Sequence, residues 1–584
     1  MPNPRRGARF LSGSAILGCL LLAFAAAGQQ PATKNTPQTP PPPSAFGETL
    51  EVRVINLDVV VTSRDGKPVT GLTKDDFELL EAGKRTEISN FVEIIPTSPA
   101  PAEASPTGPA PPAASDEHRD VRQRKLVFFI DNASVHPFNR NRVLKAMKRL
   151  LDEGARHGDA FMVVTWNGNA TNVPLQMTTD HAAADKVWER LFQQTSAGVT
   201  IQQERAQTEQ ALNDLIINYR LMSPPRQPPY DLGLAEVRMY GQKTMHETRL
   251  KAEALSSVIA ALRGVDGRKA LIFVTEAFSD NPALNTFEYL NAVKNQFEGG
   301  GSQNPLLDAR EFEDRPAIER IADAANSAGV TVYPFHAGGL GADPMMRDAS
   351  IGSNPALFTG GGGVTPTNTD AGALEYLASA TGGFALVGTN SFDRGVDSVI
   401  SDLGSYYFLG YRANGARQDK VTAISVRLKN NRNKYVIRSR RSLVESSATS
   451  EMRDAVTANL FYPVSKNDLR VTLSAGSPVP NPDPNKVVVP LKIIIPTEQL
   501  TLMPDGADLM GHFSVFGGFL RHDGAVSKMF KKEQTFRFPA ESLKRRKEIT
   551  VKLDLTAELG TEGISIGVVD EISHATGFAV ATMK

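Results

Sequence analysis

Asp131, Asn132 and Ser134 follow the apolar run Leu126–Ile130 in the stretch "KLVFFIDNASV". A carboxylate and a hydroxyl at the carboxyl end of a buried strand stand where an open α/β sheet holds a ligand or a metal ion. The plainer reading is that Asp131 caps the turn or helix that follows. His336, at the end of "VYPFH", occupies a second strand end of this kind. Other chemistry finds little support. The chain has no Gly-x-Ser-x-Gly elbow, no phosphate-loop lysine and no His-Glu-x-x-His pair. His246 lacks a second histidine at ligand spacing. The glycine run at 359–364 leads into Thr365-Pro366, not into a helix and a lysine. Asp75-Asp76 reads as a solvated turn, and Tyr406, Tyr407 and Tyr411 read as core.

The elements that would position these residues follow from apolar spacing. "LVFFI" is continuous, as a strand buried on both faces requires. Val143, Leu144, Met147, Leu150 and Leu151 then recur three and four apart, which predicts a helix. "AFMVVTW" and "NVPLQMTT" read as strands and "HAAADKVWERLFQQ" as a helix. Leu255, Val258, Ile259 and Leu262 mark another helix before the buried strand "RKALIFVTE". "AIERIADAANSAGVTVYPFHAGG", "ALEYLASATGGFALVG" and "FDRGVDSVISDLGSYYFLGYRA" each repeat helix then strand. This alternation predicts a mostly parallel sheet with helices on both faces. Residues 421–440 read as a hairpin extending that sheet at an edge.

The flanks are different. Residues 48–95 alternate with period two and turn at Asp65-Gly66 and Ala82-Gly83, which predicts a small all-β module. Residues 467–584 carry strand patterns at the spacing of a β sandwich. The expected organisation is therefore a leader at 1–28, a Pro-rich linker at 29–47, the β module at 48–95 and a Pro/Ala-rich linker at 96–123. An α/β domain at 124–445 follows, with an insertion at about 195–243, then a helical connector at 446–466 and the sandwich at 467–584.

The leader reading rests on Arg5, Arg6 and Arg9, an apolar run from Ala15 to Ala27 and the small residues around Gly28. The run is too short for a comfortable membrane span, so the mature chain is expected to have none. Export to the periplasm or the extracellular space follows. An alternative is lipoprotein anchoring through Cys19, the one cysteine in the chain. After cleavage no thiol remains, so disulfides and thiol chemistry are excluded. Lys+Arg and Asp+Glu both number 64 in 584 residues. Loss of the three leader arginines takes the net charge from 0 to about −3, and no domain-sized basic face argues for nucleic acid.

Several stretches carry a resemblance. "VVVTSRDGKPVTGLTKDDFELLEAGK", "GRKALIFVTEAF", "AANSAGVTVYPFHAGGL" and "LASATGGFALVGTNSFDRGVDSVISDLGSYYFLGY" resemble the acidobacterial von Willebrand factor type A-related family of secreted proteins. The resemblance implies an α/β, von Willebrand factor A-like (Rossmann-like) sheet flanked by β sandwiches. It also implies a metal site built from an Asp-x-Ser-x-Ser loop, a distant threonine and an aspartate after the fourth strand. Here Asp131 matches. The two serine positions hold Ala133 and Val135, with Asn132 and Ser134 one residue out of register. Thr275-Glu276 stands where Ser/Thr-Asp is implied, and Thr244 and Thr248 are loose candidates for the distant threonine. The candidate ligands to Mg²⁺ or another divalent cation are Asp131, Ser134 and Glu276. Asn132, Thr275 and His336 would line the ligand-facing loops. The first expectation is a non-enzymatic exported binding or scaffold protein, without a cofactor, whose partner is a protein or an envelope surface. A divalent-metal-dependent adhesion module is the alternative, and a hydrolase with an unrecognised site is the alternative from another class.

Overall fold

Strand Arg124–Asp131 sits at the centre of a five-stranded sheet, between Ala160–Trp166 and Arg268–Thr275. Those neighbours run parallel to it, and Val330–His336 runs parallel to Arg268–Thr275. Thr171–Thr178 closes the other edge antiparallel. The computed structural model describes residues 54–95, 124–155, 158–194, 198–265, 267–339, 369–412, 419–430, 434–444, 446–461, 467–522, 526–543 and 547–583, all within one compact unit, Val52–Lys584. The leader with Cys19, both linkers and the glycine run at 359–364 lie outside the described residues.

Alternation along the central strand explains why its apolar run is unbroken. Val127 and Phe129 point into one core, with Leu255, Ile259, Ile321 and Leu377 from three helices. Leu126, Phe128 and Ile130 point into the other, with Leu144, Met147, Trp188 and Val399. Phe128 meets the Trp188 ring edge-on, with centroids 5.5 Å apart. Each such side chain contributes roughly 1.5–3 kcal/mol by leaving water.

The expected fold class is nevertheless corrected. Of the five sheets among the described residues, only this one contains parallel pairs, and it is itself mixed. The other four are antiparallel, so the chain is mostly antiparallel β in several small sheets with helices, and no Rossmann-like sheet dominates it. Tyr406–Arg412, expected to continue the parallel sheet, instead pairs antiparallel with Val54–Ser63 and Ile88–Ile94. Val421–Leu428 pairs with Phe77–Glu81, and Tyr435–Arg438 with the end of Val54–Ser63. Residues 54–94 therefore form no sheet of their own. Leu57, Val59, Phe77 and Leu79 share a core with Tyr407, Tyr411, Ile424 and Val426. A four-strand module of this length buries too little apolar surface alone, and strands from the C-terminal part of the expected α/β segment complete it.

Helices Gly198–Arg220 and Tyr230–Ala261 occupy the expected insertion, and the second runs well past it. Its 32 residues span about 48 Å. Its first half packs Val237 with Phe287, Phe297 and Phe312 in a satellite core, and its second half enters the sheet core. Residues from 467 onward form two antiparallel sheets around Ile493, Ile495, Val515, Ile564 and Ile566, a β sandwich as expected. Among the described residues, no helix is long and apolar enough to cross a membrane.

The turn after helix Thr369–Thr381 shows how tightly the parts meet. Thr381 Oγ1 accepts from the Val332 N–H at 3.1 Å, and Gly382 has φ +85°. A Cβ on Gly383 would lie 2.1 Å from the Val332 carbonyl oxygen. Gly383→Ala is expected to lower stability by about 1–3 kcal/mol, measured by thermal denaturation. Gly372→Ala, on the same helix with nothing within 4 Å of the added Cβ, is the control and is expected to be neutral or stabilising.

Candidate functional site: a lysine-filled strand-end cluster

Asp131 ends the central strand fully buried, at 0% exposure. Its Oδ1 accepts from the backbone N–H groups of Ala133, at 3.2 Å, and Ser134, at 3.1 Å. This is the local capping turn that an aspartate at such a position favours. Oδ2 accepts from the Ser134 hydroxyl and from Thr275 Oγ1 at 2.8 Å. Thr275 arrives because Arg268–Thr275 lies beside the central strand in parallel register. The two hydroxyls are 3.1 Å apart, and Ser134 Oγ also accepts from the Glu276 N–H at 3.1 Å.

A further residue completes the cluster. Lys251, on the long helix, places Nζ 2.5 Å from Asp131 Oδ2 and also donates to the Ala277 carbonyl. Its side chain is 6% exposed. Sequence reasoning missed Lys251, although a signal was present. It precedes Leu255, Val258, Ile259 and Leu262 by 4, 7, 8 and 11 positions, so a lysine stands in phase with the helix's apolar stripe.

The other expected residues are divided. Glu276 is half-buried and turns away from Asp131. Its carboxylate accepts from the His136 N–H at 2.6 Å and from Asn139 Nδ2 at 2.8 Å. It thus sits at the N-terminus of helix Pro137–Gly154, where the helix dipole favours a negative charge. Asn132 accepts from Arg140 Nε at 3.1 Å. Arg140, 1% exposed, also donates to the carbonyls of Leu191 and Gln194 at the end of helix His181–Gln193. Burial pushes the Arg140 pKa down. His336 pairs in register with Thr275, and its ring and the Glu276 stem both border Gly338. Thr244 bonds back to Tyr240 and Gly241 on its own helix, seven residues before Lys251. Phe138, at the first turn of helix Pro137–Gly154, is 83% exposed.

These residues do not fit the divalent ion that the resemblance implies. Asp131 is already met by an ammonium, two hydroxyls and two backbone N–H groups. Glu276 is engaged elsewhere, and Ala133 and Val135 bring no side-chain oxygen. A second cation beside the Lys251 ammonium would meet like-charge repulsion in a site that water does not screen. Among the described residues, no group of three or more His, Cys, Asp or Glu is placed to hold a metal.

No family model matches the chain, and no curated protein matches it. Two solved structures show partial likeness. An X-ray structure of a Northeast Structural Genomics Consortium target aligns over 21% of this chain and 85% of its own, with 14% identity and a TM-score of 0.13. The pilus adhesin SpaC from Lactobacillus rhamnosus GG aligns over 90% of this chain, with 8% identity and a TM-score of 0.25. The chain covers 62% of that adhesin's length. Likenesses at these TM-scores carry neither fold nor function across.

Proposed function

We propose that this chain is an exported, non-enzymatic binding or scaffold protein whose strand-end face meets a protein or envelope-surface partner without a metal ion. The observation that supports this reading is the mutual satisfaction of the buried cluster beside an exposed aromatic. Asp131, Lys251, Ser134 and Thr275 neutralise one another, so none stands ready as a nucleophile with its base. Phe138, beside the Glu276-capped helix start, presents apolar area on a rigid element, as anchors of binding faces do. The leader reading of residues 1–28 supports export.

The test is capture from a native envelope extract on immobilised full-length chain, with and without chelator, for wild type and Phe138→Ala. Phe138→Ala is expected to reduce capture by about tenfold or more, as loss of an aromatic anchor does, while its thermal midpoint stays at the wild-type value. Chelator is expected to change nothing. Capture abolished by chelator would return the metal-dependent adhesion reading, and capture indifferent to Phe138 would remove this face from the interaction.

A further inference from the structure

Strand Glu548–Glu558 of the C-terminal sandwich has 11 residues and pairs along its whole length with Lys486–Pro496. On its other side no strand pairs with it among the described residues. An unpaired row of backbone N–H and C=O groups of that length is a template for another strand. Two other edges of the sandwich are blunted. Phe530–Pro539 carries Lys532 in the row of Phe530, Phe536 and Phe538 that packs against the core, and it ends in proline. Thr472–Ala475 is four residues long. Glu548–Glu558 has none of these devices. Its inward row is Ile549, Val551, Leu553, Leu555 and Ala557, all apolar. Its outward row, Glu548, Thr550, Lys552, Asp554, Thr556 and Glu558, is exposed throughout.

The charges of the outward row are not answered within one chain. Lys552 stands directly opposite Lys492, and Asp554 opposite Pro490. Like charges opposed across a ladder destabilise it. A second copy laid antiparallel along this edge answers both residues. Full overlap of the 11 residues centres on Leu553. It sets Lys552 against Asp554 of the second copy, and Asp554 against Lys552 of the second copy. Thr550 then meets Thr556, and on the inward face Val551 meets Leu555. Glu548 meets Glu558 at the two ends, where Arg521 already engages Glu558. Centring one residue earlier or later would oppose Lys552 to Lys552 or Asp554 to Asp554.

We propose that this edge is a homodimer interface, in which two copies join antiparallel through Glu548–Glu558 into one continuous sheet. The two-fold symmetry uses up both open edges, so the assembly closes at two copies. The interface lies on the C-terminal sandwich and does not depend on the partner proposed above.

Sedimentation velocity of the full chain over a concentration series tests this, for wild type, Lys552→Glu, Asp554→Lys and an equal mixture of the two variants. Wild type is expected to pass from monomer to dimer and no further. Lys552→Glu is expected to weaken the dimer about tenfold or more, because both cross-copy charge pairs become repulsive. Its fold is expected to hold, since the same change removes the opposition to Lys492, and a thermal midpoint at or above that of wild type checks this. Asp554→Lys is expected to weaken the dimer by a similar factor. The mixture is expected to regain wild-type dimerisation, because each changed charge then faces its opposite in the mixed dimer. A wild type that stays monomeric up to about 1 mM would overturn the proposal. So would growth beyond the dimer, a Lys552→Glu dimer as strong as that of wild type, or a mixture that associates no better than its components.

Discussion

Replacing Asp131 by alanine is expected to remove about 3–5 kcal/mol of folding stability, the largest loss at the candidate site. The change strands the Lys251 ammonium, whose side chain is 6% exposed, beside no carboxylate. It also leaves the hydroxyls of Ser134 and Thr275 and the N–H groups of Ala133 and Ser134 without their acceptor. Each unmade bond to a buried group adds its own desolvation cost. Asp131→Ala with Lys251→Met is expected to recover part of the loss, because neither charge is then left alone, and the double-mutant cycle reports their coupling. Urea denaturation of the four proteins measures this. A loss below about 1 kcal/mol for Asp131→Ala would mean that the pair is exposed or unformed in solution.

Asp402→Ala is expected to destabilise by a comparable amount at the opposite end of the same sheet, about 3–5 kcal/mol. The Asp402 side chain is 3% exposed, and its carboxylate takes two 2.7 Å bonds from the fork of Arg438. Tyr333 Oη donates to it at 3.4 Å, and burial together with this carboxylate pushes the Tyr333 pKa up. Arg268 donates to the Asp402 backbone carbonyl and stacks 3.8 Å from the centre of the Tyr406 ring. Arg268 and Tyr333 belong to the parallel strands, whereas Tyr406 and Arg438 belong to the antiparallel sheet that residues 54–94 complete. Removing the carboxylate leaves Arg438 unpaired at this seam. Calorimetry is expected to show a lowered and broadened transition as the two sheets lose their joint cooperativity. Asp402→Asn keeps the shape and an acceptor, and is expected to fall between wild type and alanine. A sharp, unshifted transition for Asp402→Ala would show that this seam does not hold the sheets together.

Both predictions concern residues whose partners are far away in the chain, and there the sequence was hardest to read. Leu126–Ile130 and Ala270–Val274 announced themselves as buried strands, because a strand covered on both faces must be apolar at every position. The helix Pro137–Gly154 was equally plain from its spacing. The sandwich strands after 467 were legible by alternation. The pairing of Val54–Ser63 with Tyr406–Arg412 was not, since each strand shows only which face is apolar and not which of many strands lies beside it. That ambiguity let the parallel sheet seem larger than it is.

At the site, the sequence by itself determined the location: a buried strand that ends in Asp131, a turn carrying Ser134, and a second buried strand ending in Thr275-Glu276. It also showed that Ala133 and Val135 bring no side-chain oxygen to that turn. The tertiary structure decided the rest. It turned Glu276 to the helix start, gave Asn132 to Arg140, and brought Lys251 from 120 residues away onto Asp131. The physical reason is that a buried charge is settled by whatever opposite charge the packing delivers, and packing joins elements without regard to their distance in sequence.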